Sequence, residues 1–364
     1  MSLARIFLVV TALCVSGCST VGYYAQAAGG QLDLMARARP IDDILDDRSP
    51  DDAVIPEPPA SPELKQRLRS VVEIRDFASR ELALPDNGSY RRFVALDRPA
   101  VAWNVFANPE FSLTPKTWCF PVAGCVPYRG YFARERAERF ALDLRRQGFD
   151  VQVAPVMAYS TLGWFHDPLL STHLRYRDAD LAALLFHELA HQVLYVPGDA
   201  DFNESFATTV EIEGLRRWLA ARGDSATLAA QLSSRARRAE FIRLVLGFRD
   251  ELSVLYRSGL AEDALRAEKA RRFDEFIENY GRERGRWPAG ENYDRWFAQD
   301  LNNAHIASVG LYHRHVAAFE ALLTSVNGNL AAFYRAAQTL ARLPLREREA
   351  RLQRLTEVHA TQTP

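Results

Sequence analysis

The run His187-Glu188-Leu189-Ala190-His191 constrains this chain more than any other feature of its 364 residues. A spacing of four places both imidazoles on one face of a helix, one turn apart. Two nitrogens held that way can share one tetrahedral zinc ion. Glu188 stands beside the first histidine, where it can hold and deprotonate a water at the metal. Asp178 or Asp180 can cap such a helix, which runs to about Tyr195 and stops at Pro197-Gly198. A catalytic zinc needs a third protein ligand and an open fourth position. A second helix starts near Asn203 and ends near Gly223. Folded back antiparallel, it brings Glu204 to the same ion, twelve residues intervening after His191. The alternative for Glu204 is a carboxylate that merely favours a helix N-terminus. Glu211 lies two turns further on the same face, where it could hydrogen-bond a metal-bound histidine; the alternative is that it is itself a ligand.

The first residues read as a targeting segment. Arg5 supplies positive charge, and Ile6 to Val15 is an apolar run too short to span a bilayer. It ends in Val15-Ser16-Gly17-Cys18, which resembles a bacterial lipobox. Residues 1–17 are then a lipoprotein signal peptide and Cys18 the lipidated residue; the alternative is an ordinary secretory signal with an incidental cysteine. Several acyl chains on one residue anchor a protein stably to a membrane. Ser19 in place of an aspartate favours the outer membrane, facing the periplasm. Two cysteines remain, Cys119 and Cys125, in Trp118-Cys119-Phe120-Pro121-Val122-Ala123-Gly124-Cys125. In an oxidising compartment this loop can close as a disulfide or keep two separate thiols. A net charge of −1 gives no support for a nucleic-acid partner.

Periodicity predicts an α+β fold: a mixed sheet-and-helix part, then a mainly helical one. Residues 18–62 read as a tether and spacer, with six prolines between 40 and 62. Residues 63–177 form the mixed part. Leu64, Leu68, Val71, Val72, Ile74, Phe77 and Ala78 have helical spacing. Tyr90 to Phe111 and Asp150 to Val156 read as strands, 133–147 as a helix between them. Residues 178–223 are the metal-binding helix pair. Residues 224–364 continue as helices: Phe241, Leu244, Val245, Phe248, Leu252 and Leu255 make one stripe, Phe273, Phe276, Ile277 and Tyr280 another, with further helices over about 294–325, 329–342 and 345–358.

The helix pair resembles the gluzincin clan of zinc peptidases, whose ligands are two histidines and a glutamate. Pro197 stands where a metzincin would place its third histidine, so that pattern fails. Asn203-Glu204-Ser205-Phe206-Ala207 is similar to the third-ligand segment of aminopeptidase N-like enzymes, but their eighteen intervening residues would land on Val210. A closer resemblance, from Cys18 to about Phe319, is to a bacterial family of lipoprotein aminopeptidases whose activity is itself assigned from the zinc motif. It rests on Trp118 to Phe132, Tyr159 to Thr172, Phe186 to Gln192, Phe202 to Thr208 and Asn302-Asn303-Ala304.

That resemblance implies zinc-dependent hydrolysis of peptide bonds, Glu188 acting as general base, with an endopeptidase or a non-catalytic lipoprotein as the alternatives. An oxyanion donor is needed; Tyr312 is the first candidate, ahead of Tyr293, His313 and His315. Tyr159, Ser160, Thr161, Leu162 and Gly163 could form the strand against which a peptide substrate lies. His166 and His173 are read as surface or packed histidines. Asp167, Glu211 and Glu213 are the carboxylates available to a substrate ammonium.

Overall fold

The computed structural model describes residues 22–48, 59–120, 124–158, 161, 163–287, 293–309 and 315–362. Cys18 and the signal segment lie outside them. The chain enters through helix α1 (residues 22–37), strand β1 (Arg39–Pro40) and a short α2 (Ile41–Leu45). This stretch, expected to be tether, is packed against the body: Leu34, Ile41 and Ile44 are buried, and Arg39 and Pro40 pair with Phe93 and Arg92. Its few apolar residues give it a face to bury that its prolines and aspartates hide in the sequence. Helix α3 (Pro62–Leu82) begins where Ser61 accepts from the Leu64 N–H at 3.2 Å and proline takes the first helical position. Its expected stripe is realised, with Leu68, Val71, Ile74, Ala78 and Leu82 fully buried.

The predicted strand over 90–111 is two strands. Strand β2 (Arg92–Val94) lies between β1 and β8 (Leu169–Leu170). Strand β3 (Ala102–Pro109) is the centre of a separate sheet, between antiparallel β6 (Tyr128–Tyr131) and β7 (Phe149–Val156). Asn104 faces Gly130 and Phe106 faces Tyr128 across the β3–β6 pair. Helix α4 (Arg134–Arg146) buries Ala137, Ala141 and Leu144 against Trp103, Val105 and Val151 on one face of this sheet. The other face is left for the helices that follow. A small ribbon, β4 (Trp118–Phe120) and β5 (Gly124–Val126), sets Cys119 opposite Cys125, and the two are joined as a disulfide.

From Asp178 onward the described residues are helical or connecting. Helices α5 (Asp178–Val193) and α6 (Ala200–Ala221) pack side by side. Gly214 makes that possible: a Cβ there would stand 2.8 Å from both Phe186 and Leu82. Helices α7 (Ser225–Leu255) and α8 (Glu262–Glu283) bring their stripes together, with Phe248 stacked on Phe276 at 4.1 Å. The single helix expected over 294–325 is three: α9 (Asp294–Phe297), α10 (Asn303–Val309) and α11 (Val316–Ser325). Asn303 explains the break. Its side chain donates to the carbonyls of Pro109, Glu110 and Ser112, and its N–H donates to Asp150, so α10 is pinned to the ends of β3 and β7. Helices α12 (Leu330–Ala341) and α13 (Leu345–Gln362) close the largest core, which joins residues from Ile41 to Leu352. No helix among the described residues is long and apolar enough to cross a membrane.

Candidate metal centre

Helix α5 carries His187, Glu188 and His191 on its final turns and ends at Leu194, whose extended backbone starts the return. The turn is clamped by one buried side chain. Asn203 accepts from the Val196 N–H at 2.7 Å and donates to the Val196 carbonyl at 2.8 Å. Asp199 caps α6 by accepting from the Phe202 N–H, and its other oxygen takes two bonds from buried Arg348. The start of α6 is therefore fixed, and Glu204 is carried on its first turns.

The three predicted ligands converge. His187 Nε2 lies 3.2 Å from His191 Nε2 and 3.2 Å from Glu204 Oε2. His191 Nε2 lies 3.6 Å from Glu204 Oε1. Donors at about 2.0–2.1 Å around a tetrahedral ion stand about 3.3 Å apart, so these separations fit one ion. Both imidazoles also present the same kind of nitrogen, a contact that as a plain histidine pair gives at most one hydrogen bond. The His187 Nδ1 faces Glu211 Oε2 at 3.0 Å, which leaves Nε2 for the cluster. Arg235 in turn donates to the second oxygen of Glu211. Glu211 thus stands behind His187, outside the group of three that converges.

The electrostatics favour positive charge at this point. Burial opposes a proton on His187, but the carboxylates of Glu204 and Glu211 outweigh it and hold its pKa well above the ordinary histidine value. Burial pushes His191 down to about 4, and His187 beside it acts in the same direction. Burial raises Glu188 to about 7; His187 opposes this, while Glu204, Asp167 and Glu211 add to it.

Two cavities, of about 400 and 560 Å³, meet at the cluster and share His187, Glu188, Glu204, Asn104 and Tyr128. The last two stand on the open face of the central sheet. Gly130 keeps room for Asn104, whose Oδ1 would lie 3.1 Å from a Cβ at that position. Tyr128 lies within the Trp118 to Phe132 segment, but nothing there singles it out, and Asn104 has no such signal. They lie some sixty residues and more before the histidines, and only the strand register brings them to the cleft.

Other expectations are placed differently. Tyr312 and His313 lie outside the described residues, as do Tyr159, Ser160 and Leu162. Thr161 and Gly163 are in irregular chain, not in a strand. Gly163 has φ 82°, which breaks an extended run, and the Thr161 N–H donates to Asp167 at 2.9 Å. Tyr293 is stacked on Phe241 in the α7–α8 core, and the His315 N–H donates to Ser205; neither residue lines the cavities. His166 packs against Gly88, and His173 is buried with its Nδ1 accepting from the Leu170 N–H. Glu213 is held by Arg216 and Arg217.

A family model described as "Putative aminopeptidase" matches residues 22–352. No curated protein and no solved structure matches the chain.

Proposed function

This chain belongs to that aminopeptidase family, and from this premise we propose that it hydrolyses peptide bonds with zinc held by His187, His191 and Glu204. The observation that carries the reading is the convergence of two Nε2 atoms and one carboxylate within 4.8 Å of one another, with Glu188 alongside. Bound there, the ion supplies Lewis acidity to the attacking water and to the scissile carbonyl. Glu188 takes the proton of that water and passes it to the leaving amine. Glu211, backed by Arg235, fixes the ring of His187 and keeps its Nε2 lone pair directed at the cluster. Tyr128 and Tyr195 both line the cleft, and we assign the developing oxyanion to Tyr128 because it borders both cavities at the cluster. Burial raises its pKa, so the phenol keeps its proton, and Glu204 and Glu188 are among the groups around it.

We also propose that Cys18 carries lipid and holds the protein in the cell envelope, on the strength of Val15-Ser16-Gly17-Cys18 alone. For the reaction, Glu188→Gln is the decisive variant. It should retain zinc, measured by elemental analysis, and lose about 1,000-fold in kcat on a peptide panel. Full turnover by the variant would remove Glu188 from the mechanism. A wild-type protein that binds no zinc at neutral pH would remove the metal reading. Equal cleavage of free and N-acetylated peptides would make the protein an endopeptidase instead.

A further inference from the structure

The two cavities that meet at the cluster differ in chemistry. The larger one is polar and runs along α7, where Arg235, Arg238, Gln231 and Ser234 line it, with Asp180 opposite. The smaller one runs toward α1. Apart from the three ligands and Glu188, no side chain lining it carries a charge. Its walls are Tyr23 and Ala27 of α1, Val126 of the disulfide ribbon, Phe132, Val156 and Tyr195.

Those walls are fixed in place. Gln26 donates to the Gly130 carbonyl at 3.4 Å and accepts from the Phe132 N–H at 3.2 Å, so its amide caps the outer edge of β6. Gly30 lies flat on the Phe132 ring, where a Cβ would come within 2.3 Å. The Tyr23 ring is 5.6 Å from Phe120 on the ribbon. On the other side, Gly124 (φ 74°) meets the turn between α5 and α6, and a Cβ there would be 2.9 Å from the Gly198 nitrogen. A volume of about 400 Å³ is that of a small-molecule site.

We propose that this cavity selects the substrate through a bulky apolar side chain, aromatic or branched aliphatic, on the residue next to the scissile bond. The inference rests on the peptidase reading and adds to it the class of peptide cleaved. A charged side chain placed there would leave water for a lining that, apart from the cluster, carries no charge. The α7 cavity, with charges of both signs, imposes no such filter on the other side of the bond.

The test uses the full-length, zinc-loaded protein and a peptide panel varied on both sides of the cleaved bond: Phe, Leu, Ala, Ser, Asp and Lys. On one side, Phe and Leu should exceed Asp and Lys by at least about 30-fold in kcat/KM. Ala27→Phe, which fills the cavity from α1, should cost Phe substrates about tenfold while sparing Ala substrates. Val126→Glu, on a different element, should move the preference toward Lys by about tenfold. Binding of the panel to Glu188→Gln, which does not consume it, should follow the same order. Cleavage without side-chain preference, or variants that scale every peptide equally while melting at the wild-type temperature, would overturn the assignment. A wild-type protein that cleaves nothing would overturn the peptidase reading instead.

Discussion

At the scale of single residues, the proposed chemistry depends on side chains brought together from distant positions. Tyr128 is the clearest case. Tyr128→Phe keeps the ring packed 5.6 Å from Phe106 and removes only the hydroxyl. Loss of one oxyanion donor costs about 100- to 1,000-fold in kcat. The variant should show that loss with little change in KM or zinc content; a kcat within threefold of wild type would assign the oxyanion elsewhere. The histidine pair and Glu188 were legible in the sequence because their geometry is local: a helix alone fixes it. Glu204 was legible because one short turn separates it from them. Tyr128 and Asn104 were not, since their place depends on the pairing of β6 with β3, which no short window of sequence encodes. The same holds for Arg235, which reaches Glu211 from another helix.

At the scale of elements, the centre depends on how α5 returns into α6. Asn203 is the residue that sets this turn, through both polar groups of Val196. Asn203→Ala removes both bonds to these partly exposed groups, at a cost of about 1 kcal/mol. It should lower the melting temperature and weaken zinc binding together, read by calorimetry and by metal titration. A variant that melts lower but binds zinc with unchanged affinity would separate the turn from the site. Apolar spacing foretold α3, α7 and α8 well, because each has one continuous buried stripe. It failed where tertiary contacts cut an element short. Asn303 anchors α10 to the sheet and interrupts a run that reads as one helix. Gly163, at positive φ, disrupts what reads as a strand. Residues 22–48 read as a spacer because composition is averaged along the chain, whereas packing needs only a few apolar residues at the right phase.

At the scale of the molecule, the α+β class was visible in the change from mixed to helical periodicity. The grouping of elements was not. The largest core takes α2 and α3 from one end of the chain and α12 and α13 from the other, and periodicity marks a buried face without naming its partner. Two buried histidines away from the cluster give the whole fold a pH dependence. Burial lowers both His173 and His305 to about 4 from 6.5. The unfolded chain takes up these protons below about pH 6.5, whereas the folded chain refuses them until about pH 4. Stability is therefore full above pH 6.5 and falls as the pH drops toward 4, by up to about 3 kcal/mol for each histidine. Urea unfolding at pH 7.5 and 5 should show the drop, and His305→Gln should reduce it; a flat profile would contradict the burial of both rings as neutral groups. Finally, if Cys18 carries lipid as proposed, α1 bears on how the protein could be released. Tyr23 is five residues from Cys18, a span of about 17 Å at most. A lipid at Cys18 would thus hold the mouth of the apolar cavity close to the bilayer. Shedding by a cut just before residue 22 would free an enzyme with its selectivity whole, whereas trimming to residue 38 would free one with a wall missing.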